Sequence, residues 1–159
     1  MHPNAQLLEN FYNAFAARDY AAMQACYGPS AQFQDAVFTL RGKAIGAMWH
    51  MLLGGGESDL QATHRDVQAD EAAGHAHWEA RYTFSTTGRK VHNVIEAEFQ
   101  FREGRIAVHR DHFSFWRWSS QALGPTGLLL GWTPFVRSQV RAAAARRLER
   151  FIEQHPEYR

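Results

Sequence analysis

The stretch that most constrains this chain is Val91–Trp118, VHNVIEAEFQFREGRIAVHRDHFSFWRW, which reads as two strands joined by a tight turn. Ile95, Ala97, Phe99 and Phe101 share one face, and Glu96, Glu98 and Gln100 share the other. Arg102-Glu103-Gly104-Arg105 is turn chemistry, with Gly104 free to take a positive φ. The return strand is expected to run through Ile106 and Val108 to His109, Asp111, Phe113 and Phe115. His109 and Asp111 are two apart, so a strand puts both on one face. If the hairpin closes with a three-residue or bulged loop, Asp111 falls opposite Ala97 and His109 opposite Phe99. A carboxylate and an imidazole then sit on the apolar side of a sheet. That costs several kcal/mol unless partners or water compensate, so the pair calls for an explanation.

At 159 residues the chain is long enough for one domain with a substantial core. A 13% aromatic share leaves rings to line a pocket as well as to fill a core. A net charge of +1 gives no global field to recruit nucleic acid or a membrane. The single cysteine, Cys26, has no partner for an internal disulfide and lies in an apolar helical pattern. It reads as a small buried hydrophobe in a reducing compartment, not a nucleophile. No basic region followed by an apolar run opens the chain, and Leu128-Leu129-Leu130 with Gly131-Trp132 is too short to span a bilayer. The expectation is a soluble, cytoplasmic protein.

Pro3 starts a helix whose apolar face is Leu7, Leu8, Phe11 and Phe15, with Tyr12 beside it. Asp19 caps a second, Tyr20–Tyr27, which Gly28-Pro29-Ser30 ends. Ala31–Leu40 is a weak strand with Asp35 at its end or in a bend. Arg41-Gly42-Lys43 opens a third helix with Ile45, Met48, Trp49 and Leu52 inward, stopped by Gly54-Gly55-Gly56. The glycine triplet lacks the Lys-Ser/Thr of a phosphate loop. Asp59–Asp70 and Ala73–Thr86 read as strands, the second with Ala76, Trp78, Ala80, Tyr82 and Phe84 on one side. A loop follows Trp118. Thr133-Pro134 then starts a helix over Phe135–Gln154 with Val136, Val140, Ala143, Ala144, Leu148 and Phe151 as its stripe. Segregated helices and strands predict an α+β fold with an antiparallel sheet. If that sheet curls, its concave side encloses a pocket.

YGPSAQFQDAVF, a glycine-led short helix, and strands ending in GRIAVHRD resemble the nuclear-transport-factor-2-like superfamily, and within it the SnoaL-like polyketide cyclases and ketosteroid isomerase-like proteins. The resemblance covers residues 4–118. It implies a cone-shaped, strongly curved antiparallel sheet packed on three N-terminal helices, a cavity for small apolar ligands, and a homodimer. Residues 1–118 form that α+β barrel domain in this reading. Residues 119–159 add a loop and a C-terminal helix, packed on the same domain or on a partner subunit. Asp35 falls where ketosteroid isomerase-like members keep their general base, and Asp111 where SnoaL-like cyclases keep an acid/base aspartate, with His109 matching the histidine beside it. Ketosteroid isomerase holds its oxyanion with a tyrosine and a protonated aspartic acid. The corresponding residues here are Phe11 and Ala97, which cannot donate a hydrogen bond, so steroid isomerisation of that design is not expected. The proline after the base aspartate is replaced by Ala36.

Asp111, His109 and Asp35 are therefore the candidate acid/base residues. Tyr12, Phe11, Trp49, Trp78, Tyr82, Ala97, Phe99 and Phe113 are the candidate lining of a pocket. A carboxylate in an apolar pocket can remove a proton from a carbon beside a carbonyl and return it elsewhere. The plain alternative is a buried His–Asp hydrogen bond that orders its strand. No metal is expected, because His75 and His77 lie on a polar strand face and no HExxH or paired-cysteine spacing occurs. His92 is expected to pair across that face with Glu79. The arginines of the last helix read as a solvated face or a subunit contact, not a nucleic-acid site. Together these features predict a cofactor-independent isomerase, cyclase or lyase acting on a small, largely apolar carbonyl or hydroxyl compound, with no nucleic-acid or membrane partner. The alternative is a non-catalytic ligand-binding or protein-interaction module on the same fold.

Overall fold

The computed structural model describes residues 1–54 and 58–159. The expected helix stop at Gly54-Gly55-Gly56 lies partly outside the described residues. Helix α1 (Pro3–Ala16) starts as expected, with Pro3 in its first turn and the His2 ring accepting from the Asn4 amide. It buries Leu8, Phe11, Tyr12 and Phe15. Helix α2 (Tyr20–Ala25) is capped by the Asp19 side chain, which accepts from the Ala22 amide. Strands β1 (Tyr27–Gln34) and β2 (Thr39–Arg41) follow, then helix α3 (Lys43–Leu53), which buries Ile45, Met48 and Trp49. Strands β3 (Gln61–Ala69), β4 (Ala73–Phe84), β5 (Arg89–Arg102) and β6 (Arg105–His112) complete one six-stranded sheet in the order β2-β1-β6-β5-β4-β3. Helices α4 (Phe115–Leu123), α5 (Pro125–Leu130) and α6 (Pro134–Gln154) close the chain, with a 3-10 turn at Pro156–Tyr158.

The fold is α+β, and the sheet is curled without closing into a barrel. Its apolar face and helices α1–α3 share one aromatic-rich core, in which Phe11, Tyr12, Phe15, Trp49, Trp78 and Phe99 are buried. A second cluster, Val91, Phe115, Trp118, Ala122 and Val136, ties α4 and α6 to β5. The β5–β6 hairpin has the expected register, with Ala97 opposite Asp111 and Phe99 opposite His109. Glu103 and Gly104 both take positive φ, a two-residue turn whose twist suits a hairpin. A bulge between Gln100 and Phe101 sets the register beyond it.

Several expectations are corrected. The sheet is not wholly antiparallel, because β1 runs parallel to β6. Helix α2 ends at Ala25, and Tyr27 begins a strand. The Gly28-Pro29-Ser30 break expected after that helix falls inside β1, where the pairing to β6 is irregular between Tyr27 and Gln32. Proline has no N–H to give a ladder, and the irregularity is where one is tolerated. Ala31–Leu40 is not one strand. The Asp35 carboxylate takes the amides of Val37 and Phe38, each at 2.7 Å, and folds the chain back into β2. Phe113 and Phe115 do not continue β6. Ser114 caps α4 by accepting from the Arg117 amide, and Phe115, Trp118 and Ala122 follow helical spacing into the second cluster. The expected loop after Trp118 is largely helical. Of the expected stripe on α6 only Val136 and Leu148 are buried, and Ala143 is exposed.

Candidate functional site

His109 and Asp111 occupy the concave face of β6, with His109 wholly buried and the Asp111 side chain 2% exposed. His109 Nε2 lies 2.8 Å from Asp111 Oδ1. The same oxygen accepts from Trp78 Nε1 at 3.2 Å. On the other side of the imidazole, Nδ1 is 2.7 Å from the Tyr27 hydroxyl, which accepts from Trp49 Nε1 at 3.1 Å. An indole N–H can only donate. The Tyr27 oxygen therefore accepts from Trp49. The Asp111 carboxylate can only accept, so the imidazole proton lies on Nε2, and Nδ1 is the acceptor for the Tyr27 proton. The chain Trp49, Tyr27, His109, Asp111, Trp78 pairs every donor in it. This is how two polar side chains survive in an apolar core. Rings enclose it. Phe33, Phe99 and Phe11 centre 4.9, 4.4 and 5.8 Å from the His109 ring.

Two oxygens at the site are left over. Among the described residues, Asp111 Oδ2 has no hydrogen-bond partner, and neither does the fully buried Tyr12 hydroxyl. Burial pushes the Tyr12 phenol well above its ordinary range, and the Asp111 charge adds to that push. The ring lies flat on His64, with centroids 5.2 Å apart. Such an unpaired buried hydroxyl is rare in folded proteins, because it forfeits its hydration without return. It is one of the few groups here free to bind something else.

Asp35 sits at the end of β1, in the turn its own Oδ1 organises. Burial raises its pKa to about 6, against the pull of the two amides, and the Asp111 charge raises it further while His109 lowers it. Asp35 thus shares an electrostatic neighbourhood with the pair, without a hydrogen bond to either.

Of the expected lining, Phe11, Tyr12, Trp49, Trp78, Ala97 and Phe99 are buried around the pair. Phe113 packs at the junction of the two clusters. Tyr82 accepts from Trp118 Nε1 at 2.6 Å and lines a surface cleft of about 430 Å³ with Arg81, Lys90 and His92. A second cleft, about 230 Å³, lies between the Val37–Leu40 segment and α6, against Leu148 and Ile152. Neither cleft is lined by Asp111, His109 or Asp35.

Sequence reasoning missed Tyr27, which was placed in a helix. Only the parallel β1–β6 pairing brings it to His109, and no local pattern signals that pairing. The indole bonds of Trp49 and Trp78 were likewise out of reach, although both residues were picked as lining. The outer face of the sheet is as expected. His92 Nε2 lies 2.6 Å from Glu79, and His77 bridges Glu96 and Glu79 at 2.5 and 3.0 Å. Those histidine bonds pull Glu79 down to about 2. Among the described residues, no three His, Cys, Asp or Glu side chains are grouped to hold a metal ion. Cys26 is buried, which pushes its thiol up to about 11 and makes it a poor nucleophile. No described helix is long and apolar enough to cross a membrane.

Solved structures share this fold. An LEH-like epoxide hydrolase from M. tuberculosis superposes with a TM-score of 0.64 at 20% identity, covering 80% of this chain and 96% of that one. A protein from Xanthomonas campestris pv. campestris, provisionally assigned as a polyketide cyclase, gives 0.62 at 18% identity, covering 75% and 96%. An NTF2-like protein of unknown function from Burkholderia pseudomallei gives 0.60 at 18% identity, covering 72% and 92%. Comparison with curated protein sequences finds no match. Residues 8–109, well over half of the chain and ending on the histidine of the buried pair, match the model of the SnoaL-like domain, and the chain belongs to that family.

Proposed function

We propose that the chain is a cofactor-independent enzyme that moves protons on a small, mostly apolar carbonyl or hydroxyl compound, as an isomerase, cyclase or lyase. The observation that carries this reading is a pair of oxygens with no partner among the described residues, Asp111 Oδ2 and the Tyr12 hydroxyl, beside His109. The Asp111 carboxylate takes a proton from the carbon next to a carbonyl through Oδ2. The electron pair of that C–H bond moves to the carbonyl oxygen as an enolate. The Tyr12 O–H donates to the oxygen as its charge develops. The proton then returns from Asp111 to another carbon or to oxygen, which completes an isomerisation. In a cyclisation the enolate carbon instead attacks a second carbonyl, forming a C–C bond as the π pair moves to that oxygen, which takes the proton from Asp111. His109 and Trp78 orient the carboxylate by holding Oδ1, so that Oδ2 faces the substrate. Asp35, with a pKa of about 6, exchanges protons near neutrality and serves as the second acid/base. The cleft beside Val37–Leu40 borders the turn that carries Asp35 and is the approach this reading uses.

A non-catalytic binding module is the second reading, favoured by the fact that neither surface cleft touches the pair. One experiment separates them. The protein is assayed for turnover against a panel of cyclic ketones, lactones and 1,3-diketones, to which the fold neighbours add epoxides. Asp111→Asn keeps the shape of the side chain and removes its base. Turnover that falls by roughly 10²-fold or more supports the enzyme. Compounds that bind without turnover, equally well to both forms, support the module.

A further inference from the structure

The structure exposes a cluster of large apolar side chains that the proposed chemistry does not use. Leu128, Leu129, Leu130, Trp132 and Phe135 are 54, 68, 48, 72 and 69% exposed, and Trp116 beside them is 44% exposed. The cluster is held in place by its backbone. Gly127 and Gly131 press against Ser119 so closely that an added Cβ would lie 1.8 Å from its carbonyl oxygen and 2.0 Å from its hydroxyl. The Trp116 indole donates to the Leu128 carbonyl and the Trp132 indole to the Leu129 carbonyl. This packing seats α5 on α4 through glycine and leaves its leucines outside.

Basic charge follows the cluster along the chain: Arg117 adjoins Trp116, Arg137 lies 5.1 Å from the Phe115 ring, and Arg141, Arg146 and Arg147 lie further along α6. Residues 112–148 contain Arg117, Arg137, Arg141, Arg146 and Arg147 and no Asp or Glu, whereas the rest of the chain has twelve basic against sixteen acidic residues. All five arginines are exposed, and among the described residues none is in an ion pair. The near-zero net charge of the whole chain hides this asymmetry.

We propose that this tip docks on the surface of an anionic lipid bilayer. Successive helical residues are 100° apart, so Leu128, Leu129 and Leu130 sweep more than half of the α5 circumference. A groove or flat partner takes one face of a helix, whereas the headgroup boundary surrounds an inserted tip. Leucine, tryptophan and phenylalanine backed by arginine match that boundary in both polarity and sign. A second copy placed face to face on the same patch brings arginines against arginines, which disfavours it. Surface docking needs no spanning helix, so it does not conflict with the lack of one among the described residues.

The test is flotation of the full chain with vesicles of phosphatidylcholine alone and with phosphatidylglycerol added, together with tryptophan emission. Binding to the phosphatidylglycerol vesicles with a blue shift, weakened about tenfold or more by high salt, is expected. Leu129→Ser with Trp132→Ser abolishes it, and Arg117→Gln with Arg137→Gln weakens it while the apolar tip remains. Circular dichroism and the thermal midpoint confirm that both variants fold, and the arginine variant still decides the matter if the other does not. No binding to anionic vesicles overturns the proposal, as does equal binding with and without phosphatidylglycerol. A concentration-dependent dimer that the apolar variant dissociates, with no vesicle binding, also overturns it.

Discussion

The hydrogen bond between His109 and Asp111 has a defined direction, because the carboxylate can only accept and His109 Nε2 must donate. Because the Trp49 indole can only donate, it fills an acceptor position on Tyr27, and the Tyr27 proton fills Nδ1 of His109. The imidazole N–H is then left on Nε2, facing Asp111 at 2.8 Å. Trp49 on α3 and Tyr27 on β1 thereby complement the tautomer that the Asp111 carboxylate selects.

Removing that carboxylate strands two buried donors, His109 Nε2–H and Trp78 Nε1–H. Asp111→Ala is expected to cost about 2–4 kcal/mol, read from urea unfolding at pH 7. Asp111→Asn keeps an acceptor and costs clearly less. A cost for the alanine variant within the noise of the measurement would mean the chain of bonds is absent in solution.

Tyr27 and Tyr12 lie close together in the core, yet their hydroxyls predict opposite outcomes. Tyr27→Phe leaves both Trp49 Nε1–H and His109 Nδ1 unpaired and should destabilise by about 2–4 kcal/mol. Nitrogen NMR of His109 should still show the proton on Nε2, held there by the Asp111 carboxylate, with Nδ1 left without a donor. Tyr12→Phe removes a buried hydroxyl that has no partner, so stability should be unchanged or rise by about 1 kcal/mol. Any bound carbonyl compound should bind or react more weakly in that variant. A large loss of stability in Tyr12→Phe would show that its hydroxyl already has a structural partner.

Asp35 sets a pH dependence. Its pKa rises from 3.8 to about 6 on folding, chiefly through burial, so the native state binds its proton more tightly than the unfolded chain does. The contribution to stability is therefore present at low pH and is lost as pH rises through the window between those values. At pH 7 the buried charge costs about 2–3 kcal/mol relative to pH 4. Asp35→Asn keeps an acceptor for the Val37 and Phe38 amides. It should match the parent at pH 4 and exceed it at pH 7, as followed by thermal melts across that range.

His77 has a pH dependence of the same sign as Asp35 for a different reason, since here it is the charged form that the fold favours. Its bonds to Glu96 and Glu79 raise its pKa above 6.5. The stabilisation it supplies is complete below 6.5 and disappears as pH rises through the higher folded value. Proton NMR should place its midpoint above that of an ordinary histidine, and Glu96→Gln should bring it down.

Much of the frame was legible. Alternation in β4 and β5 marked the buried face through Trp78, Ile95, Ala97 and Phe99, because a pleated strand must send every second side chain to the core. The same rule, with a bulged closure of the hairpin, places Asp111 across from Ala97, and the bulge falls between Gln100 and Phe101. The errors cluster where a local pattern competes with a capping side chain. Asp35 bends what looks like one strand, and Ser114 starts a helix inside what looks like the end of another. Both act through a single hydroxyl or carboxylate bonded to a nearby amide, which periodicity does not register.

By itself the sequence determined that an imidazole and a carboxylate would share the apolar face of a hairpin. Spacing of two along a strand puts both on one face, and the turn together with the bulge between Gln100 and Phe101 turns that face to the core. The tertiary structure alone decided what those groups meet. Tyr27, Trp49 and Trp78 come from β1, α3 and β4, and Tyr27 reaches the pair only through a parallel neighbour. Hydrogen bonds between distant segments depend on how the sheet curls over its helices, and that geometry is a property of the whole packed core.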